Sequence, residues 1–243
     1  MSSPAVVRSA DYEAVSVAAA GLFTTTVAAA LAERGAAHVA LDGGNTPKRT
    51  YELISLPSWE GVELWFGDER CVDPEDPDSN YRMVAETLLD HTPGAVVHRI
   101  EGELGGEVAA SAYDVALRER LPLEADGVPV FDLILLGIGE DGHTASLFPS
   151  HPELAARGVA AIAVHDSPKP PPDRVSLSLE VLRAARACVL LASGSGKAAP
   201  IAAALGEPTP LVPASLLARE RLTVIADADA LADIDALADA DLP

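Results

Sequence analysis

Short apolar runs that stop at glycine-bearing turns recur along this chain, and stretches of helical periodicity lie between them. From about residue 37 onward, "HVALDGG" reads as a strand entering a turn, followed by a helix from about Pro47 to Leu56. "VELWFGDER" repeats the pattern, and after a polar loop Ser79 stands as the N-cap of "NYRMVAETLL". "VVHRI" reads as a third strand and "EVAASAYDVALRERL" as a helix. "FDLILLGIG", short, apolar and bounded by glycine, is the clearest strand, and "VAAIAV" follows it. "ACVLLASGSGK" gives strand, turn and helix, and "LTVIAD" is the last strand. This alternation predicts an α/β fold, a mainly parallel Rossmann-like sheet with helices on both faces. No repeat or linker interrupts it, so residues 1–243 are expected to form a single domain. The proline-rich "DSPKPPPDR" is the nearest candidate boundary but sits too close to its flanking strands to separate one core from another. The acidic, alanine-rich end, residues 228–243, reads as a short helix or a frayed tail.

Four turns follow predicted strands: Asp42 to Pro47, Gly67 to Arg70, Gly137 to His143, and Ser193 to Lys197. In open α/β sheets the carboxyl ends of the strands share one edge, where ligands bind. The four turns are therefore expected at one crevice. Seventeen basic against 37 acidic residues leave a formal charge of −20. That argues against nucleic acid and anionic membrane as partners, since both require a basic face. An anionic ligand would need a locally positive pocket, which makes each basic residue in a turn informative. Cys71 and Cys188 lack the close spacing of a disulfide framework or zinc site, and a reducing cytoplasm is the simplest location. Residues 14–32 approach the length of a membrane span. Asp11 and Glu13 precede them and alanine and threonine dilute them, so they read as a helix with one buried face.

Taken singly, the turns are ambiguous. In "GGNTP", Gly43 and Gly44 let the backbone approach a ligand, and the helix start around Asn45 and Thr46 offers free amides. It reads equally as an ordinary turn with Thr46 as cap and Pro47 first in the helix. In "GDER", Arg70 has the planar fork that suits phosphate or carboxylate, yet Asp68, Glu69 and Arg70 could equally pair with one another. "SGSGK" is not a Walker loop: Leu191 stands at the required first glycine and Ala198 at the hydroxyl position. Lys197 at a helix start opposes the helix dipole, and an incoming anion would account for its placement.

"LILLGIGEDGHTASLFP" carries the nominal Gly-x-Gly-x-x-Gly of a dinucleotide site. Asp166 roughly meets that site's need for a later acid, but Pro149 and Pro152 interrupt the helix that must follow the glycines. The turn also holds Asp141 and His143, which such a site does not require. His143 is a candidate general base, and Asp141 either orients its ring or shapes the turn. Gly142 belongs with the glycines whose amides are candidate donors to a substrate oxygen.

These turns fall within "LDGGNTP", "WFGDERCVDPEDPDSNYRM", "GIGEDGHTASLFPSHP", "PPDRVSLSLEVL" and "GSGKA". In that order and over nearly the whole chain they resemble the 6-phosphogluconolactonases, within the glucosamine-phosphate isomerase/deaminase superfamily. The resemblance implies a NagB/RpiA/CoA transferase-like fold and ester hydrolysis of 6-phospho-D-glucono-1,5-lactone to 6-phospho-D-gluconate, the second step of the oxidative pentose phosphate pathway. It implies no cofactor and no metal, and a small sugar-phosphate lactone as partner; a monomer is the expected state, though the sequence itself does not reveal it. Carried onto this chain, it makes His143 and Asp141 catalytic and sets the phosphate on Arg70, Arg174 and Lys197. Gly43, Gly44, Asn45, Thr46, Asp68 and Gly142 complete the expected substrate contacts, and Arg174 enters by resemblance alone.

The family's first loop usually has serine where this chain has Asp42 and Asn45. Asp42 is expected to point away from an anionic ligand or to pair with a basic neighbour. The deaminase branch carries a glutamate five residues beyond its histidine, where this chain has Phe148, and a Met-Asp-Glu-Tyr pattern in place of "GDER". A sugar-phosphate-sensing module is the remaining alternative, but the first 36 residues are too short and acidic for a DNA-binding segment.

Overall fold

The structure, a computed structural model, describes residues 3–240, with side chains as far as Ile234 and at Ala236. It opens with β1 (Ala5–Ser9) and the long helix α1 (Tyr12–Arg34). Asp11 accepts the Ala14 amide at 2.9 Å to start that helix, and Gly35 stops it in the left-handed region at φ 72°. Val15, Ala19, Phe23, Val27 and Ala30 form its buried face. The rest of the main sheet comprises β2 (Ala37–Leu41), β3 (Val62–Phe66), β5 (Val96–Val97), β6 (Leu133–Gly137), β9 (Cys188–Ala192) and β10 (Leu222–Asp227), all parallel, in the order β1-β10-β9-β6-β2-β3-β5. β2 and β9 are buried at every position, so both faces of the sheet are covered, which is why such strands read as unbroken apolar runs.

Strand order places the site. From β2 the chain steps outward to β3 and β5; from β6 it steps the other way to β9 and β10. β2 and β6 are neighbours whose following loops turn apart, and the crevice at such a switch point is where α/β sheets bind ligands.

A second sheet modifies the expected plan. β4 (Asp68–Arg70), β8 (Arg174–Leu177) and β7 (Ala161–Val164) are antiparallel, in the order β4-β8-β7. Residues 68–70, expected as part of a turn, are therefore a strand that starts one residue after β3. "VAAIAV" falls in this small sheet rather than the parallel one, and "DSPKPPPDR" is the link between two of its paired strands. Helix α4 (Gly106–Arg120) packs on β7 and β8.

The other helices are α2 (Asn45–Leu53), α3 (Asn80–Thr87), α5 (Leu179–Ala184), α6 (Ala198–Leu205) and α7 (Ala228–Ala240). Ser79 caps α3 as expected, accepting the Arg82 amide at 3.2 Å. Thr46 caps nothing: α2 begins at Asn45 behind Gly44, whose φ of 94° suits glycine, and Pro47 is the third helical residue. The C-terminal stretch is helical to Ala240, and residues 241–243 lie outside the described residues.

Candidate active site

The loops after β2, β6 and β9 and the strands β4 and β8 surround a cleft of about 390 Å³. Gly43, Gly44, Asn45, Thr46, Asp68, Arg70, His143, Arg174 and Lys197 all line it, so segments more than a hundred residues apart converge as strand order requires. A larger groove of about 550 Å³, lined by Glu124, Arg157, Glu180, Arg183 and Arg221 among others, has mixed charge and no histidine.

At the first turn, α2 starts without a side-chain cap, so its leading amides stay available beside the cleft. A Cβ on Gly43 would fall 1.8 Å from Asn80 Oδ1, so only glycine fits there. Tyr51 Oη clamps the strand end, accepting the Asp42 amide at 2.9 Å and donating to its carbonyl at 2.7 Å.

The three residues of β4 have three different tasks. Asp68 is buried and accepts from Asn80 Nδ2 at 2.7 Å and Ser146 Oγ at 2.5 Å. Glu69 accepts from Ser79 Oγ and from the amides of Arg70, Asn80 and Tyr81, so it caps α3 from outside. Burial pushes its carboxyl above the usual range, against those donors. Arg70 donates to the Asp78 carbonyl and leaves a buried Nε without a partner among the described residues. Internal pairing among the three, the alternative open from sequence, is limited to the Arg70 amide on Glu69.

Beyond β6 the glycine turn builds the histidine site. His143 Nδ1 lies 2.5 Å from Asp141 Oδ1, which leaves Nε2 for the cleft. Phe148, fully buried, packs against the imidazole with ring centroids 4.6 Å apart. Burial lowers the His143 pKa below the ordinary imidazole value, although Asp141 opposes the change, so a neutral ring is favoured. Asp141 is also partly buried, which raises its carboxyl, but the bond from His143 and the nearby charge of Lys169 outweigh this and hold it low. Gly142, at φ 81°, packs against Val212 and is not among the residues lining the cleft.

The cations are held differently from one another. Lys197 ends a short 3-10 turn before α6, and its Nζ donates to the Ile138 carbonyl at 2.8 Å, tying the β9 turn to the β6 turn. Burial lowers its pKa, with Glu140 opposing. Arg174 is only 3% exposed. Its Nε donates to the Pro171 carbonyl and its Nη2 to those of Lys169 and Pro170, while Nη1 faces Ser146 and lies 4.0 Å from Asp68. Most of its fork thus holds the β7–β8 loop.

That loop supplies a residue which sequence reasoning missed. Lys169 Nζ sits 3.7 Å from Asp141 Oδ1, beside the histidine pair. A basic residue in a turn of so acidic a chain was itself the signal. Asn80, Ser146 and Asp227 were also missed. Asp227 accepts from Ser193 Oγ and the Gly194 amide and so shapes the lysine turn; no local pattern marks such distant contacts.

Asp42 neither points away nor meets a base. It is buried, lines the cleft, and accepts the Gly137 amide at 2.7 Å.

Residues 10–225 match the family model described as glucosamine-6-phosphate isomerases/6-phosphogluconolactonase. The 6-phosphogluconolactonase of Streptomyces coelicolor is 41% identical over 84% of this chain and 83% of its own length. The solved 6-phosphogluconolactonase of Trypanosoma brucei superposes with a TM-score of 0.86 at 28% identity, covering 95% of this chain and 98% of that one. A monomeric glucosamine-6-phosphate deaminase, 21% identical, superposes at 0.77 over 94% of this chain and 99% of its own, which speaks to the fold alone. With 216 of its 243 residues inside one family model, and the glycine turns and histidine site within that span, the chain belongs to the glucosamine-6-phosphate isomerase/6-phosphogluconolactonase family.

Proposed function

We propose that this chain is a 6-phosphogluconolactonase that hydrolyses 6-phospho-D-glucono-1,5-lactone to 6-phospho-D-gluconate, in the oxidative pentose phosphate pathway, with His143 as general base. The observation that carries this reading is the cleft's two-ended chemistry. A histidine held through Nδ1 by Asp141 faces the same space as Arg70 and Lys197. Neutral Nε2 takes a proton from water as the water oxygen bonds to the ester carbon, and the carbonyl electron pair moves onto its oxygen. The imidazolium then returns that proton to the ring oxygen as the ester bond breaks, leaving a free acid and a hydroxyl. Asp141 keeps the Nδ1–H tautomer and favours the transient imidazolium.

The phosphate rests on Arg70 and Lys197, aided by the uncapped amides at the start of α2. Arg174 supports this mainly by holding the Lys169 loop. Ring-opening deamination needs a proton carrier where the buried Phe148 packs on His143, and a phenyl ring moves no proton. With this reading go one domain over residues 1–243 and a cytoplasmic location.

A rapid assay with freshly made phosphorylated lactone, corrected for spontaneous hydrolysis, tests it. Acceleration of the phosphorylated lactone well above that of unphosphorylated gluconolactone is expected. Sugar-phosphate binding with no lactone hydrolysis would favour a sensing role instead.

A further inference from the structure

We propose that Lys169 is a positioning residue of the histidine site. Its ammonium shares one Asp141 oxygen with His143 and tempers that carboxylate's pull, which leaves the imidazole free to accept a proton. The inference deepens the lactonase reading and, for its kinetic part, rests on it.

Asp141 Oδ1 lies 2.5 Å from His143 Nδ1 and 3.7 Å from Lys169 Nζ. The chain has only three lysines, and two of them reach this one turn from different elements. Lys197 comes from the β9 turn and donates to the Ile138 carbonyl, whereas Lys169 comes from the β7–β8 loop. The backbone that carries Lys169 is fixed. Its carbonyl accepts from Ser167 Oγ at 2.8 Å and from Arg174 Nη2 at 2.9 Å, and its amide donates to Ser167 Oγ at 3.2 Å. The loop is pinned at its base as well: the Ser167 amide donates to the Pro172 carbonyl at 3.0 Å, and His165 Nδ1 lies 2.8 Å from Asp173 Oδ1. A buried arginine thus spends part of its fork on the backbone of a lysine whose own side chain is 43% exposed. So exposed an ion pair adds little to stability, and the fixed seat calls for another reason.

Electrostatics supply that reason. An ionised carboxylate beside Nδ1 leaves the Nε2 lone pair for the cleft, but it also favours the imidazolium, and a histidine held protonated cannot act as a base. A cation on the same oxygen keeps the tautomer and offsets the attraction. Burial lowers the His143 pKa most, Asp141 opposes this, and Lys169 adds to the lowering. The transient imidazolium is then also readier to pass its proton to the ring oxygen. Lys169 is not among the residues lining the cleft, so it acts through the pair rather than on the substrate. The titratable or charged groups facing the imidazole are Asp141 from its own turn, Lys169 from the loop and Asp68 from β4. Arg70, Arg174 and Lys197 line the same cleft, and Glu140 faces Lys197.

Lys169→Met keeps the apolar stem and removes the charge. With the phosphorylated lactone, the acid limb of kcat/KM should move toward alkaline pH in this variant, the opposite of the move expected for Asp141→Asn. On the limb the variant should be roughly two- to fourfold slower than the parent, and the deficit should shrink as pH rises past it. Lys169→Arg, which keeps the charge, should return the limb to its parental place. NMR of the imidazole Cε1–H follows His143 directly in the ligand-free chain, its signal identified by its loss in His143→Ala. Its midpoint should also move toward alkaline pH in Lys169→Met. About 1 M salt, with a Debye length of ~3 Å, should narrow the gap between variant and parent.

A His143 midpoint that stays in place or moves toward acid in Lys169→Met would overturn the proposal. So would a rise in KM for the phosphorylated lactone with the limb unmoved, which would make Lys169 a phosphate ligand. A loss that is equal at every pH and is not restored by Lys169→Arg would reduce the residue to a prop for its loop. The NMR titration needs no lactone. A chain that hydrolyses none would sink the lactonase reading and still leave the Lys169 pairing to be decided by the imidazole.

Discussion

His143 Nδ1 and Asp141 Oδ1 are 2.5 Å apart, and this contact fixes which ring nitrogen is free for chemistry. His143→Ala should lower kcat by roughly 10²–10⁴-fold while 6-phosphogluconate binding changes little, because general-base catalysis contributes about that factor. Calorimetric titration beside a corrected rate assay separates the two. Near-parental turnover in the variant would remove His143 as the base.

The pH profile has a defined sign. Protonated His143 cannot accept from water, so kcat/KM should fall on the acid side. Burial lowers its pKa, so the midpoint should lie below the ordinary ~6.5. Asp141 acts the other way, and Asp141→Asn should move that limb further toward acid while lowering kcat, since an amide can also stabilise the wrong tautomer. A limb that moves toward alkaline pH in this variant would contradict the pairing.

Lys197 and Arg70 should act on the other end of the substrate. Removing a charged hydrogen-bond partner costs about 1.5–3 kcal/mol, so Lys197→Ala should raise KM for the phosphorylated lactone by roughly 10- to 150-fold. Rates with unphosphorylated gluconolactone should hardly move. An equal loss on both substrates would mean that Lys197 serves the turn, through its bond to Ile138, rather than the phosphate.

Arg174 is expected to behave differently from those two, since its Nε and Nη2 hold the carbonyls of Pro171, Lys169 and Pro170. Arg174→Ala should destabilise the fold by about 1.5–3 kcal/mol. Arg174→Lys should rescue little, because a point ammonium cannot reproduce a planar fork. Chemical denaturation of both variants gives the answer, and full rescue by lysine would argue for a simple charge.

The parallel strands were legible because strands buried on both faces are written as continuous apolar runs, as in "FDLILLGIG". The same signal fails for β1, an exposed edge strand, and for β4, three polar residues made into a strand only by pairing with β8. Convergence of the turns was legible from strand ends alone. The wiring between them was not. Asp42 meets the Gly137 amide only after β2 and β6 come together, and a reading of local charge favoured a basic partner. Thr46 looked like a cap because its type and place suit one, yet Gly44 begins the helix.

Gly139 tests whether the placement of the imidazole, rather than its presence, limits turnover. A Cβ there would fall 2.0 Å from His143 Nδ1 and 2.4 Å from Asp141 Oδ1, so Gly139→Ala must move the ring, the carboxylate or both. Both side chains are partly exposed and can swing toward solvent, so the fold should tolerate the methyl group far better than the chemistry does. A misplacement of about 1 Å can cost about 10²-fold in rate, so kcat should drop by at least that factor while the phosphate end, and hence product affinity, is kept. Gly158→Ala makes the control: its φ of 70° adds backbone strain that Gly139 does not have, but nothing lies within 4 Å of its added Cβ. It should lose a little stability and no turnover. Equal kinetics for the two variants would show that the precise seat of His143 beside Asp141 does not govern the reaction.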